Sequence, residues 1–444
     1  MTNSITLAEG VQLHIIATDK FTTNILCILI RLPLRRSLVT KTALLPALLS
    51  RGSAKYPTVR DIRLATEAMQ GSVFDAQIIK KGEQQILQFF LECTPEFSGQ
   101  GLDFLAQILL NPRIEECPSG FHASGPHVPG FHAPYVESEA INLKNRIEGR
   151  INNKSDYAKL KCLELMCSEE PFGIYGDGYV EDLAQISPEG LLKRWENIKT
   201  SAPIDFIALG RWDEERLKED ITSKFEPLFN SHFSGASGSP VSSGASGSSG
   251  FSGARKTIPR PLLHPARSKP QTIHLNHSTQ GNLCMGLRGE IPSAGMDFIH
   301  FQLANEILGG GPNAKLFANV REKESLCYSI YSTIYRFKSL MCVIAGTEPD
   351  KLELVAELAL KEIDALKGGK ISADDLSGAK SSLSKRWRAM QDNPSACVDF
   401  CASQYLLGDP STVEELLAKV DVATVDGVVS AASKLNVDTV VMMR

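Results

Sequence analysis

The sequence predicts an α+β fold built from two related halves, each a mainly antiparallel sheet with helices packed on one face. The chain of 444 residues is too long for one ordinary hydrophobic core, so its length favours more than one domain. Its hydrophobic content of 43% and charged content of 22% are typical of a globular protein. A similar succession of strand-like and helix-like segments occurs on each side of a Gly/Ser-rich stretch, which indicates a duplication.

The two halves follow the same order of elements. Residues 76–110 and 332–366 each contain two runs of alternating hydrophobicity, a turn with proline and an amphipathic helix. Residues 152–209 and 391–443 each contain a helix after a polar Asn/Asp segment, a Gly-Asp turn, a helical stretch and a final apolar strand. Two helix starts are marked by an N-cap serine followed by acidic residues, Ser187 and Ser372.

A compositionally distinct stretch separates the halves. Residues 234–254 consist almost entirely of Gly, Ser and Ala, and such a segment cannot bury enough apolar surface to form a core. We therefore predict a Gly/Ser-rich linker at residues 231–265, between an N-terminal domain at 1–230 and a C-terminal domain at 266–444.

A second unusual insert covers residues 118–134 and contains His122, His127 and His132. Three histidines are compatible with a metal site. Their five-residue spacing, however, matches neither one face of a helix nor one face of a strand, and Gly and Pro separate them. The sequence therefore favours an irregular surface loop.

Charge and cysteine usage argue against several classes of partner. The net charge of −4 gives no overall positive field that would attract nucleic acid or an anionic membrane. The longest strongly apolar run near the start, residues 25–30, is far shorter than the roughly 20 residues of a membrane helix. Ten cysteines show no disulfide-like or C-x-x-C spacing, although two pairs share probable helices, Cys162 with Cys167 and Cys397 with Cys401. A thiolate metal site is one interpretation, but buried free thiols in a reducing cytosol are favoured, and we expect a cytoplasmic protein.

The most specific segment is residues 297–328, DFIHFQLANEILGGGPNAKLFANVREKESLCY. It resembles the C-terminal-domain signature of the insulinase/pitrilysin peptidases and the mitochondrial processing peptidase, in which a helix ending in LGGG precedes LFxxxREKxxLxY and a strand. The resemblance extends through nearly the whole chain outside the two inserts and is sharpest at residues 307–328. Residues 48–57, LLSRGSAKYP, resemble the segment that follows the zinc motif in active members. The resemblance implies duplicated insulinase-type domains.

The glycine run inside this segment has a local explanation. Gly309, Gly310 and Gly311 are predicted to end one helix, and Pro312 to start the chain into another. A phosphate-binding loop is excluded because the glycine spacing is wrong and no GK[ST] follows.

The zinc motif of the active relatives has no counterpart in this chain. Active members bind zinc through H-x-x-E-H on a helix, where two histidines are ligands and the glutamate is the general base. Alignment through LLSRGSAKYP places Ala43, Pro46 and Ala47 at these three positions, and no H-x-x-E-H occurs elsewhere. Glu139 resembles the acidic third ligand, but one carboxylate cannot hold a catalytic zinc, so we interpret it as structural. We expect no metal or other cofactor in this chain.

Another part of the family's active site has a counterpart here. In two-chain bacterial members, one chain supplies the zinc ligands and the other supplies an arginine–tyrosine pair. Arg321 and Tyr328, in VREKESLCY, fall on those positions. The resemblance implies that they bind the substrate carbonyl and stabilise its developing negative charge. The structural alternative is that Arg321 caps a helix C-terminus and Tyr328 is an ordinary strand aromatic.

The resemblance therefore implies a non-catalytic, substrate-binding subunit of a heterodimeric zinc metallopeptidase. The expected partner is an insulinase-like chain carrying H-x-x-E-H, which would hold the zinc, and the expected substrate is a peptide. The chain also resembles paired bacterial proteins, some of them associated by name with elongation factor P modification. One alternative is a catalytically inert scaffold or interaction protein, as in the core subunits of a respiratory complex. Another is a stand-alone enzyme with His122, His127 or His132 as metal ligands, which glycine- and proline-rich backbone disfavours.

Overall fold

The computed structural model describes residues 2–118, 127–229, 255, 257–275 and 280–444. The stretch at 234–254, most of the linker at 231–265 and His122 lie outside these residues.

The strands are divided between the two halves of the chain. In the first half they are β1 (Thr2–Ala8), β2 (Val11–Ala17), β3 (Asn24–Pro33), β4 (Val73–Lys81), β5 (Gln84–Cys93), β6 (Ile114–Pro118), β7 (His127–Phe131) and β8 (Ile204–Gly210). In the second half they are β9 (Gln271–Leu275), β10 (Gly281–Arg288), β11 (Cys327–Tyr335), β12 (Leu340–Thr347) and β13 (Asn436–Met443).

The helices are also divided between the two halves. Those of the first half are α1 (Val39–Leu49), α2 (Val59–Ala68), α3 (Ser98–Leu110), α4 (Ala133–Glu148), α5 (Lys154–Met166), α6 (Pro188–Ser201), α7 (Glu214–Lys224) and α8 (Glu226–Phe229). Those of the second are α9 (Gly295–Asn305), α10 (Leu352–Lys367), α11 (Ala373–Met390), α12 (Pro394–Leu407), α13 (Val413–Asp421) and α14 (Val425–Ser433). Two π-helical segments, Glu306–Gly310 and Phe317–Lys323, lie between α9 and β11. Short 3-10 turns occupy Pro95–Phe97, Gly149–Asn152, Pro171–Gly173, Val180–Gln185, Arg336–Lys338 and Pro349–Lys351.

The two large sheets share one topology. The strand order is β1-β2-β8-β3-β5-β4 in the first sheet and β11-β12-β10-β13-β9 in the second. Read from opposite ends, β2-β8-β3-β5-β4 corresponds to β9-β13-β10-β12-β11. Each sheet has one parallel pair, β2 with β8 and β9 with β13, and its other pairs are antiparallel. The predicted α+β class and duplicated architecture are therefore confirmed.

The helix starts predicted from the sequence have the expected geometry. The Ser187 hydroxyl accepts from the Gly190 N–H at the start of α6. At the start of α11, the Ser372 hydroxyl accepts from the Asp375 N–H, and the Asp375 carboxylate accepts from the Ser372 N–H. This capping box satisfies backbone donors that a helix start otherwise leaves without partners.

Each sheet packs one face against helices of its own half and the other face against one helix of the other half. In β3, Leu26, Ile28 and Ile30 belong to the core of the first half. The alternating residues Ile25, Cys27 and Leu29 instead pack against Val398, Cys401 and Ala402 of α12. The reciprocal contact places Cys162 and Met166 of α5 against Cys284 and Cys342 in the second sheet. Burial on both faces explains why β3 is an almost continuous apolar run.

The histidine-containing insert differs from the prediction. The irregular loop predicted for residues 118–134 is wrong in its second part, because His127–Phe131 is a strand paired antiparallel with Ile114–Pro118. Gly130 allows this strand to approach α6, since a Cβ there would lie 2.9 Å from the Glu189 nitrogen and from the Pro188 Cβ. Sequence spacing could not indicate this packing between distant segments.

No helix within the described part of the chain is both long and apolar enough to cross a membrane.

Candidate functional site

Arg321 lies in the π-helical segment Phe317–Lys323 and is exposed. Its guanidinium carbon lies 4.8 Å from the centroid of the Phe317 ring, a cation–π contact within one turn. Burial raises the pKa of the Cys327 thiol, and the positive charge of Arg321 partly opposes that shift. Within the described ranges, the Arg321 side chain makes no hydrogen bond or ion pair.

Tyr328 occupies a β-bulge at the start of β11. Cys327 pairs with Thr347 and Ser329 pairs with Gly346, so Tyr328 is the extra residue in the ladder between them. Its side chain is 58% exposed, and its hydroxyl makes no hydrogen bond to any residue that the structure describes. A bulge re-aims the side chain it carries, so Tyr328 is not an ordinary residue of a regular strand.

The connection between the two residues has a tight turn. Ser325 adopts φ +52°, a left-handed conformation that is uncommon for a residue other than glycine. The Leu326 N–H returns to the Val320 carbonyl over 3.4 Å. The turn connects the π-helical segment to β11, and the two elements are in contact with each other.

The glycine run fits closely against the same strand. A Cβ on Gly309 would lie 2.6 Å from the backbone nitrogen of Ser332, so only glycine allows this approach. Beside it, the Ser332 hydroxyl donates to the Asn305 side-chain oxygen over 2.8 Å. The π-helical segment ends at Gly310, as the sequence predicts for the run. Glycine is needed here for close packing against β11 and not for a left-handed backbone, because Gly309, Gly310 and Gly311 all have negative φ.

The positions of the zinc motif lie on α1, which continues through Pro46 to Leu49. Ala43 is 4% exposed, Pro46 is buried and Ala47 is half-buried. Ala43 belongs to the hydrophobic core of the first half, which also contains Val136 of α4 and Leu191 of α6. None of the three side chains offers a donor atom to a metal ion, so these residues do not fit a zinc site.

Glu139, which resembles the acidic third zinc ligand, forms an ion pair with Arg51. It lies on α4, is 8% exposed and accepts from the Arg51 Nε over 2.6 Å, and the Arg51 Nη2 contacts the same oxygen. Arg51 follows Ala47 by four residues. The ion pair therefore joins the end of α1 to α4. Sequence reasoning missed Arg51, although its four-residue spacing from Ala47 was a signal.

The described histidines of the insert do not form a metal centre. His132 Nδ1 contacts the Glu115 carboxylate, and its ring packs edge-on against Tyr135 at 4.5 Å. His127 is exposed, and His122 lies outside the described residues. Among the residues that are described, no group of three or more His, Cys, Asp or Glu side chains could hold a metal ion. All ten cysteines are unpaired, and only Cys397 is more than marginally exposed.

A duplicated α+β fold whose zinc-motif helix carries alanine and proline defines a class of inactive relatives of insulinase-type peptidases. In agreement, residues 185–383 match the family model described as Peptidase M16 inactive domain. Over residues 185–383, the chain is therefore similar to the inactive domain of the M16 peptidases.

Three similar proteins cover nearly the whole length of the chain. The probable inactive metalloprotease YmfF of Bacillus subtilis (strain 168) is 26% identical over 450 residues, covering 98% of this chain and 96% of the relative. A conserved protein from Enterococcus faecalis V583 has a solved structure with a TM-score of 0.84 and 23% identity, covering 100% of this chain and 98% of the other. A peptidase M16 inactive domain from Pseudomonas fluorescens has a TM-score of 0.77 and 16% identity, with coverage of 100% and 98%.

Proposed function

We propose that this chain is the non-catalytic, substrate-binding subunit of a heterodimeric insulinase-type zinc metallopeptidase. A partner chain carrying H-x-x-E-H holds the zinc and cuts a peptide, while Arg321 and Tyr328 bind the peptide from this chain. The observation that carries the proposal is that both side chains are exposed and make no hydrogen bond or ion pair with the described residues.

The chemistry of the two groups suits a peptide carbonyl. A guanidinium presents a planar fork of N–H donors, and a phenol adds one O–H donor. Cleavage of a peptide bond places growing negative charge on the carbonyl oxygen, and fixed donors aimed at that oxygen stabilise the transition state. The bulge at Tyr328 and the tight turn at Ser325 hold the two residues on ordered backbone, which limits the entropy lost on binding.

The residues of α1 support the assignment of the zinc to the partner chain. Ala43, Pro46 and Ala47 provide no metal ligand, and the Glu139 carboxylate is paired with Arg51. The proposal therefore assigns zinc to the partner and no cofactor to this chain. It also places the pair in the cytoplasm, because ten unpaired thiols suit a reducing compartment.

The proposal is tested by steady-state peptide cleavage with a reconstituted pair. Arg321→Ala should lower kcat by roughly 10²–10³-fold, the usual effect of removing one oxyanion donor. Tyr328→Phe should also slow turnover, because it removes a hydroxyl while keeping the ring. Arg321→Lys should not restore the rate, since an ammonium cannot reproduce the planar fork.

Matched controls come from neighbouring exposed residues. Lys323→Ala, in the same π-helical segment, and Tyr331→Phe, in the same strand, should leave kcat/KM unchanged. Complex formation, measured by size-exclusion chromatography, and melting temperature should be equal in all variants. If Arg321→Ala and Tyr328→Phe cleave at the normal rate, the chain acts as an inert scaffold. If the two chains do not associate at micromolar concentration, the heterodimer is wrong.

A further inference from the structure

A row of polar side chains crosses the first sheet, away from the zinc-motif helix and from Arg321. Four neighbouring strands, β1, β2, β8 and β3, each contribute one member of the row: Ser4, His14, Asp205 and Arg31. Ser4 and His14 are directly paired in the antiparallel register of β1 and β2. Side chains that face one another across adjacent strands lie close enough for direct contact.

The distances join these four residues into one chain of contacts. The Ser4 Oγ lies 3.1 Å from the His14 Nδ1, and the His14 Nε2 lies 3.2 Å from the Asp205 Oδ1. The Arg31 Nε lies 2.5 Å from the other oxygen of Asp205. In the tautomer whose Nε2–H donates to Asp205, the Nδ1 lone pair of His14 faces the serine.

A helix of the other half completes the group. Tyr405 of α12 stacks on the His14 ring with 3.7 Å between ring centroids and an interplanar angle of 27°. Its hydroxyl also contacts the Ser4 Oγ. His14 and Asp205 are 3% and 6% exposed, whereas Ser4 is exposed, so the base is shielded and the nucleophile is accessible. The Ser4 Oγ is therefore in contact with both the Tyr405 hydroxyl and the His14 Nδ1.

These residues border a cavity of about 260 Å³. The remainder of its wall is largely apolar, from Leu29, Ile207, Ala402 and Leu406. This volume is slightly below the roughly 300 Å³ at which drug-sized ligand sites begin, so it suits a short apolar group.

We propose that Ser4 is an activated nucleophile that accepts the acyl group of a small ester, with His14 as general base and Asp205 as its orienting carboxylate. The assignment rests on geometry and roles, which is how such triads are recognised on unrelated folds. His14 accepts the proton through Nδ1, and Asp205 holds Nε2, so the two ring nitrogens exchange the roles that they have in serine proteases.

The proposed reaction forms and breaks one bond in each of two steps. The Ser4 Oγ attacks the ester carbonyl carbon as its proton passes to the His14 Nδ1, and the Tyr405 hydroxyl donates to the carbonyl oxygen as it becomes negative. Collapse of the adduct breaks the bond to the alcohol oxygen, which takes the proton from His14 and leaves acyl-Ser4. Water then attacks the acyl group with the same base, which releases a carboxylic acid and restores the Ser4 hydroxyl.

The test uses the full-length chain and two probes. An alkyl fluorophosphonate should form one covalent adduct at Ser4 with loss of fluoride, detected by intact mass and peptide mapping. p-Nitrophenyl acetate should be hydrolysed with a burst of nitrophenol. Ser4→Ala should abolish both signals, and His14→Gln should slow them by roughly 100-fold or more, the contribution expected of a general base.

Thr6→Ala is the matched control. Thr6 is an exposed hydroxyl residue on the same strand, and it donates to Gln12 instead of to a histidine. Its removal should leave labelling unchanged. Asp205→Asn provides a second variant, which keeps the side-chain shape but weakens the orientation of His14, so labelling should slow while folding, checked by melting temperature, persists. A folded wild-type chain that stays unlabelled overturns the proposal, and so does a label that persists in Ser4→Ala. In either case, the polar row only stabilises the contact between α12 and the first sheet.

Discussion

At the scale of single residues, an ion pair joins α1 to α4. Ala43, Ala47 and Arg51 are spaced four residues apart, so they lie along one face of α1 and the turn that follows it. The two alanines leave this face apolar, and Arg51 carries a guanidinium to Glu139 of α4. The buried carboxylate of Glu139 therefore has its charge compensated by Arg51.

We predict that Arg51→Met lowers the free energy of unfolding by about 1–3 kcal/mol, because it leaves the buried Glu139 carboxylate without its partner. The measurement is denaturant unfolding followed by circular dichroism. The double variant Arg51→Met/Glu139→Met should recover most of the loss, since it removes both charges together. Arg60→Met, at an exposed position of α2, is the control and should be close to neutral. Equal stability of Arg51→Met and Arg60→Met would contradict the structural role given to the pair.

At the scale of elements, α5 and α12 each pack against the sheet of the other half. Helix α5 belongs to the first half in sequence and covers the second sheet, whereas α12 belongs to the second half and covers the first sheet. Val398 of α12 is 1% exposed against the first sheet, and Cys162 of α5 is fully buried against the second. At the second contact, a Cβ on Gly286 would lie 2.8 Å from the Met166 sulfur, so the helix sits directly on the strand. Each sheet would expose an apolar face without the helix from the other half.

We predict that residues 1–230 and 255–444, expressed together as two separate chains, co-purify as a one-to-one complex. Burial of the exchanged helices should provide the association, because apolar area removed from water stabilises the contact. Val398→Asp in the second fragment should abolish co-purification, since it places a charge in this buried contact. Ser395→Asp, at an exposed position of the same helix, should have no effect. Fragments that purify apart as stable monomers would show that the exchange is dispensable.

At the scale of the whole molecule, a buried ion network fixes the two halves together. Glu170 of the first half accepts from Arg288 at 2.5 Å and from Lys338 at 2.7 Å, both in the second half. Lys338 is fully buried and also lies 2.6 Å from Glu83, while Arg288 lies 3.2 Å from Asp438. Burial alone would raise the pKa of Glu170, but the hydrogen bonds from Lys338 and Arg288 outweigh it and hold that pKa below its usual value.

We predict that Glu170→Gln lowers the free energy of unfolding at neutral pH by about 3 kcal/mol, the lower end of what breaking a buried ion pair costs. Because the pKa of Glu170 is lower in the folded state, its contribution is present above the unfolded value of about 4.3 and is lost as pH falls through the folded value. The difference between the wild type and Glu170→Gln should therefore shrink with acidification. Urea unfolding at a series of pH values measures it.

Glu169→Gln is the matched control for this experiment, because Glu169 is the exposed neighbour of Glu170 in the chain. It should change stability little at any pH. A pH-independent difference for Glu170→Gln would show that the residue acts through packing and not through its charge.

The sequence by itself determined the class of fold and the loss of the metal ligands. Repetition of hydrophobic patterns indicated the duplication, since the period of a strand or an amphipathic helix is a local property. Ala43, Pro46 and Ala47 offer no donor atom for a metal ion, and the signature around Arg321 and Tyr328 marked a candidate site. Two local details were not predictable from the sequence: the π-helical geometry of Phe317–Lys323 and the bulge at Tyr328.

Only the tertiary structure decided how distant segments meet. The exchange of α5 and α12, the pair of Arg51 with Glu139 and the network around Glu170 join residues from about 90 to about 370 positions apart in the chain. Ser4, His14, Arg31 and Asp205 carry no motif, because their alignment arises from the register of four strands whose order in the sheet differs from their order in the sequence. Local periodicity specifies which face of an element is apolar, but the partner of that face is set by burial of the whole chain.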